Sequence, residues 1–191
     1  MRADARKNYN RLLTVAREVV AAQGTDASMR DIARRAEVGL ATLLRHFPTR
    51  EALVEALVCT DLNALTAKAG SLEEAEEPGS ALRVWLDEWI RFARGYKGVV
   101  AMMAAAHSDS ASALYAACAA VHSASGRLLA LAQATGAARD DMTGDDLFAL
   151  MTALGWAIDQ PSFAPRAGPL VAILADAVMP DCAPKTPSTG D

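Results

Sequence analysis

Aromatic residues make up only 5% of this 191-residue chain, and it has just three cysteines. Alternating runs of β-branched residues, which would mark strands, are missing. Ala and Leu dominate instead, and that composition predicts an all-α fold. Cys59, Cys118 and Cys182 are odd in number and far apart. They form neither a disulfide framework nor a zinc-ligand pattern, and they fit a reducing cytoplasm. No stretch reaches the roughly 18 uninterrupted apolar residues of a membrane span. The opening residues Arg2, Asp4, Arg6 and Lys7 lead into amphipathic sequence rather than a secretory signal. No membrane partner is expected. Walker loop, GxGxxG, HExxH and CxxC motifs are all lacking, so neither cofactor nor metal is expected. His107 and His122 lie about 22 Å apart along any single helix and cannot share a metal unless the chain folds back at Ser108-Asp109-Ser110. Cys118 and His122 share a helix face, but neither an orienting partner nor an oxyanion site accompanies them. The chain does not read as an enzyme.

Hydrophobic residues at 52% and charged residues at 22% are enough to bury a core and keep it in solution. The net charge of −4 is unevenly spread. Residues 1–60 hold ten Arg and Lys against seven Asp and Glu, a net of +3, and residues 61–191 hold nine against sixteen, a net of −7. A mildly basic head on an acidic body points to a polyanionic partner for the head alone.

Periodicity divides the chain into helices. The first spans about 4–23, with Tyr9, Leu12, Leu13, Ala16, Val19 and Val20 as a buried stripe, and Gly24 is placed to cap it. Ser28 with Asp31 reads as a capping box opening a short helix that ends near Glu37. A third helix covers 40–47; Pro48 stops it, and Thr49 caps a fourth helix over 50–69. That fourth helix is apolar on two sides and is expected to join the head to the body. The acidic stretch 70–79 reads as a loop or frayed end. Further helices are expected at 80–96, at 99–106 (enclosed on every side, since it holds no polar residue), at 110–135, at 143–159 and at 167–179. The division is 1–48 for the head, 49–179 for the body and 180–191 for a disordered tail.

Two short helices joined by a tight turn inside a three-helix head are the layout of a helix-turn-helix. Ala33 is small where the helices cross; Ile32, Val38, Leu43 and Phe47 point inward and set the angle. Leu40 and Leu44 lie at the edges of that inward stripe. The other face of the second helix carries Ala41, Thr42, Arg45 and His46. The run from Ser28 to Leu53, with its core Thr42-Leu43-Leu44-Arg45-His46-Phe47 followed by Arg50-Glu51, resembles the DNA-binding domain of the tetracycline-repressor (TetR) family over about residues 5–57.

The resemblance implies a homodimer whose two recognition helices enter successive major grooves of near-palindromic double-stranded DNA. It implies that Leu40, Ala41, Thr42 and Arg45 face base edges and that Ser28, Thr42, His46 and Arg50 hold phosphates. Arg2, Arg6 and Lys7 would reach the DNA from a flexible arm. Two positions depart from the family pattern. Leu44 stands where a phosphate-binding Tyr is usual, and the turn Ala36-Glu37-Val38-Gly39 lacks the usual glycine at its second position.

In the body, the aromatic and Met stripes read first as core. The resemblance raises a second reading, a cavity for a small apolar or aromatic effector walled by Trp89, Met103, His107, Cys118, His122 and Met151. Small and aliphatic faces on the last two helices suit a dimer seam of Leu150, Leu154, Leu170, Ile173, Leu174 and Val178, with Ala153, Gly155 and Ala157 allowing close approach. The expected function is a ligand-responsive transcriptional regulator of repressor type. The rival is a helical small-molecule-binding or enzymatic protein that has lost DNA binding.

Overall fold

The structure, a computed structural model, describes residues 2–23, 27–106 and 108–180. Gly24, His107 and the stretch 181–191, which includes Cys182 and nearly all of the expected tail, lie outside the described residues. Among the described residues the chain forms nine α-helices: α1 (Arg2–Gln23), α2 (Met29–Arg35), α3 (Leu40–His46), α4 (Arg50–Ala75), α5 (Pro78–Gly95), α6 (Val99–Ala106), α7 (Ala113–Ala134), α8 (Gly144–Asp159) and α9 (Ala167–Val178). A single 3-10 turn, Ala164–Arg166, precedes α9. The chain folds as two compact units.

The first unit runs to Ala64 and includes Phe92–Cys118. Its core is the stripe expected on α1, with Leu12, Leu13, Ala16, Val19 and Val20 buried. To it are added Ile32 and Ala33 of α2, Leu43 of α3, and Leu53, Val54, Leu57 and Val58 of α4. The backbone from Arg2 onward is already helical, so the segment holding Arg6 and Lys7 is the first turns of α1 and not a flexible arm. α6 is less enclosed than its composition suggested. Val99, Val100 and Met103 are buried, while Ala101, Ala104 and Ala105 face outward, since alanine exposes too little apolar surface to require burial.

The second unit comprises Leu65–Arg91 and the chain from Ala119. Here α4 continues through Ser71–Ala75, six residues past its expected end. Good helix formers, Leu72, Glu73 and Glu74, continue the helix, and Leu72 is buried on it. Trp85 and Trp89 of α5 are fully buried, as are Leu128 of α7 and Leu147 and Met151 of α8. α8 opens with a capping box. Thr143 Oγ1 accepts from the Asp146 backbone N–H at 3.2 Å, and the Asp146 carboxylate accepts from the Thr143 N–H at 2.9 Å. α7 and α8 approach through bare backbone: a Cβ added to Gly144 would lie 3.0 Å from the Cα of Gly126. α7 is long and apolar enough to cross a membrane by length and composition, yet one whole face of it, including Val121, Ala124, Leu128 and Ala132, is core.

Candidate nucleic-acid interface

α2 ends in a Schellman turn. The Glu37 N–H donates to Arg34 O at 3.2 Å and the Val38 N–H to Ala33 O at 3.0 Å, which places Glu37 at a φ of 54°. That is the left-handed region, where a side chain costs energy and glycine is the usual occupant. The same pair of bonds closes α7, where the corresponding residue is Gly136 at φ 74°. Glu37 is held by its neighbours: its carboxylate meets Arg11 of α1 at 2.5 Å.

Gly39 is the cap residue of α3, with extended backbone, and its carbonyl accepts from the Thr42 and Leu43 N–H groups. From there the seven-residue helix sorts its side chains cleanly. Leu43 and, just beyond the helix, Phe47 are buried; Leu40 and Thr42 are half-buried; Ala41, Leu44, Arg45 and His46 are exposed. The predicted inward pair and edge residues are therefore as expected. Arg45 stands outward, and no hydrogen bond or ion pair to another described residue engages it. His46 is steadied by an edge-on contact with Tyr9 of α1, ring centroids 5.8 Å apart, and Tyr9 also touches Phe47 at 5.4 Å.

Ser28 occupies the cap position of α2 and is exposed, but its side chain caps nothing. The Ser28 half of the expected capping box is therefore not made, and the Asp31 carboxylate pairs with Arg34 at 2.5 Å and Arg35 at 3.0 Å, one turn on. The hydroxyl of Ser28 is left to face solvent. Thr49 does cap α4, its hydroxyl accepting from the Ala52 N–H at 3.1 Å. Arg50 follows it, half-buried and paired with Glu51 at 3.3 Å. The Glu51 carboxyl is held below the usual carboxylate range, chiefly by its own backbone N–H and then by the Thr49 hydroxyl. Arg50, Glu51 and Val54 share a cleft of about 280 Å³ with Lys97, Gly98 and Met102, so the first turn of α4 borders the turn into α6.

One cluster escaped the reading of the sequence. Arg17 of α1 makes a two-pronged pair with the Asp61 carboxylate of α4, and the Tyr96 hydroxyl donates to the same carboxylate at 2.5 Å. Burial, and then the hydrogen bond to Asp61, push the Tyr96 phenol above its ordinary value; the Asp61 hydrogen bond raises the Arg17 guanidinium. Two helices, α1 and α4, and the turn that follows α5 are thereby tied at one carboxylate. Their sequence separations of 44 and 35 residues leave no local pattern to detect.

This geometry, an inward Leu-Phe pair, a tight turn and an outward arginine on a short second helix, coincides with matches to known proteins. Residues 12–57 match the model of bacterial regulatory proteins of the tetR family, and residues 77–179 match the C-terminal domain of SbtR-like transcriptional regulators. The chain belongs to the TetR family. A TetR regulatory protein from Mycobacterium vanbaalenii is 34% identical over 93% of this chain and 98% of its own, with a TM-score of 0.69. A TetR regulator from Streptomyces coelicolor is 30% identical over 90% and 98%, also at 0.69. RolR, solved with resorcinol, shares the fold at 19% identity over 93% and 90%, with a TM-score of 0.60. No curated protein sequence matches. As a TetR-family member the chain is a DNA-binding transcriptional regulator and not an enzyme.

The remaining predicted residues are distributed as follows. Trp89 and Met151 are fully buried in the second unit, and the Trp89 indole N–H has no partner among the described residues. Met103 and Cys118 are buried in the first unit, where burial pushes the Cys118 thiol up to about 11. His122 is half-buried, its Nε2 2.8 Å from Asp145 and its ring 4.6 Å from Phe148. On α8 and α9, Leu150 and Ile173 are exposed and Leu154, Leu170 and Leu174 half-buried. Val178 is wholly buried by its own chain and cannot line a seam with another: the helix turns it toward the same side as Val171 and Ala175, the inward face of α9.

Proposed function

We propose that this TetR-family regulator is a homodimeric repressor that leaves a near-palindromic operator when a small apolar or aromatic effector binds. The observation that carries the DNA half is the outward face of α3. Arg45 stands there without an ion-pair partner among the described residues, beside the exposed Ala41. Leu40, Ala41, Thr42 and Arg45 read base edges in this scheme; Ser28, Thr42, His46 and Arg50 meet phosphates. The dimer half rests on the aliphatic face of α8 and α9 formed by Leu150, Leu154, Leu170, Ile173 and Leu174. The effector half rests on the second unit, where the buried Trp89 keeps an unsatisfied indole donor that a ligand oxygen would satisfy. RolR, of the same fold, is complexed with resorcinol. Acting on DNA, the regulator works in the cytoplasm. Its effector favours the conformation whose recognition helices are misspaced for the grooves, and shifts the equilibrium only by its differential affinity for the two states.

Two arginines test the assignment. Arg45 is the side chain on that face suited to a bidentate contact with guanine, whereas Arg50 sits at a helix start suited to phosphate. Arg45→Ala should cost about 1–3 kcal/mol per half-site and relax base preference at one position. Arg50→Ala should weaken all sequences alike and lower the salt slope by about one unit per half-site. Affinities for selected and scrambled DNA across a salt series separate the two. Equal losses on both DNAs for Arg45→Ala would make Arg45 a phosphate contact and move base selection elsewhere.

A further inference from the structure

Leu44 is one of the few large apolar side chains left exposed in the first unit, at 39%. A lone exposed leucine means little. This one continues an apolar ridge: Leu40 lies one turn before it and Ala41 three residues before it, so the three adjoin on the helix surface. Beside that ridge stands Arg45. Along this flank of α3 the hydrogen-bonding capacity is thus confined to one side chain.

The major groove offers such a ridge a narrow choice of partners. Every base pair displays donors and acceptors there, and the single apolar group any of them presents is the C5-methyl of thymine. A phosphate is the alternative neighbour of a recognition helix, but leucine has no donor for it and would desolvate it without compensation. We propose that Leu44 is a base-reading residue whose side chain packs on a thymine methyl group, beside the base pair that Arg45 contacts. This rests on the reading of α3 as the recognition helix and extends it to a position where the family usually carries tyrosine. Specificity at that position would come from apolar contact rather than from a hydrogen bond.

The test uses the full-length protein and a DNA site that it selects from a random library. Each thymine of the half-site is replaced in turn by deoxyuridine, which removes the methyl and keeps every hydrogen bond. For the wild-type protein, one such replacement should lower affinity about three- to fourfold, or about tenfold when made in both half-sites, the worth of one buried methyl group per contact. Leu44→Ala should bind the thymine and uracil versions of that site equally, with its salt slope unchanged. Leu44→Met, which keeps apolar bulk, should restore most of the discrimination. Melting followed by circular dichroism shows that the variants are folded. The proposal is overturned if Leu44→Ala keeps the full uracil penalty, if no thymine is sensitive in the wild type, or if Leu44→Ala lowers the salt slope as a phosphate contact would. Failure of the underlying reading looks different: no site is selected, or Arg45→Ala leaves the selected site's specificity intact.

Discussion

The outward face of α3 carries Ala41, Arg45 and His46, with Leu44 at its margin, whereas α8 and α9 expose Leu150, Trp156 and Ile173 at 43%, 57% and 59%. Both are exposed helix faces, and under the proposed function their chemistry suits different partners, DNA for the first and a second copy of the chain for the other. A face that enters a groove of DNA meets phosphates and base edges, so it needs a cation, donors and small side chains that let the backbone approach. A face that meets its own copy across a two-fold axis brings each residue toward its counterpart or near it, where a charge would confront a like charge. Large uncharged side chains are the stable choice there. The comparison teaches that exposure alone does not identify a partner; the type of side chain exposed does.

The largest effect is expected where the apolar face is given a charge. Ile173→Asp sits on a side chain that the single chain does not bury, so the monomer should keep its helicity. A two-fold seam would confine two carboxylates in an apolar interface. The dimer dissociation constant should rise at least about a hundredfold, near 3 kcal/mol, by sedimentation. An undisturbed dimer would place the seam elsewhere and remove half of the comparison.

Next comes the polar clamp of the first unit. Asp61→Asn removes the carboxylate that Arg17 and Tyr96 share, and should lower stability by about 1–3 kcal/mol in urea unfolding. The fraction of dimer should not change, which separates the two regions energetically. A related, smaller effect is a pH dependence. The Tyr96 phenol is raised in the folded protein, so above about pH 10, where an exposed tyrosine ionises, the unfolded chain gives up a proton that the folded one keeps. This contribution is fully present below pH 10 and is lost as pH rises toward the folded value. The stability difference between wild type and Tyr96→Phe, followed from pH 8 to 11, should shrink as pH rises.

The smallest expected effect lies in the turn before α3. Glu37→Gly relieves a left-handed φ worth about 1–2 kcal/mol but also loses the exposed pair with Arg11, about 0–1 kcal/mol, and the flexible glycine loosens the unfolded chain. A net gain of about 0.5 kcal/mol is expected by thermal unfolding. Gly136→Ala, at the equivalent point of the α7 cap, should lose stability by a similar amount. If both glycine variants were destabilised, the Arg11 pair would be worth more than surface pairs usually are.

Much of the head was legible because its signals are local. Leu43 and Phe47 lie four residues apart and turn inward; Arg45 between them is turned out; Pro48 stops α3 and Thr49 caps α4. The misreadings occurred where two local signals competed or a distant partner decided. Ser28 and Asp31 have the spacing of a capping box, yet Asp31 serves two arginines of its own helix. The acidic run after Ala69 looked like a loop, and the burial of Leu72 carries the helix through it. Val178 belongs to the same apolar stripe as Leu170 and Leu174, and periodicity cannot say which members of a stripe face their own core.

By itself, the sequence determined the all-helical class, the positions of the described helices to within three residues except for the end of α4, and the recognition motif with its inward and outward faces. Each of these depends on residues within a turn or two of one another, where propensity, periodicity and capping act directly. Only the tertiary structure decided that Arg17 and Tyr96 share the Asp61 carboxylate, that Glu37 in its left-handed turn has Arg11 of α1 as its partner, and that Leu150, Trp156 and Ile173 remain uncovered while Val178 does not. Those facts depend on which distant segments come together, and contact across 35 or 44 residues leaves no trace in the spacing of the chain.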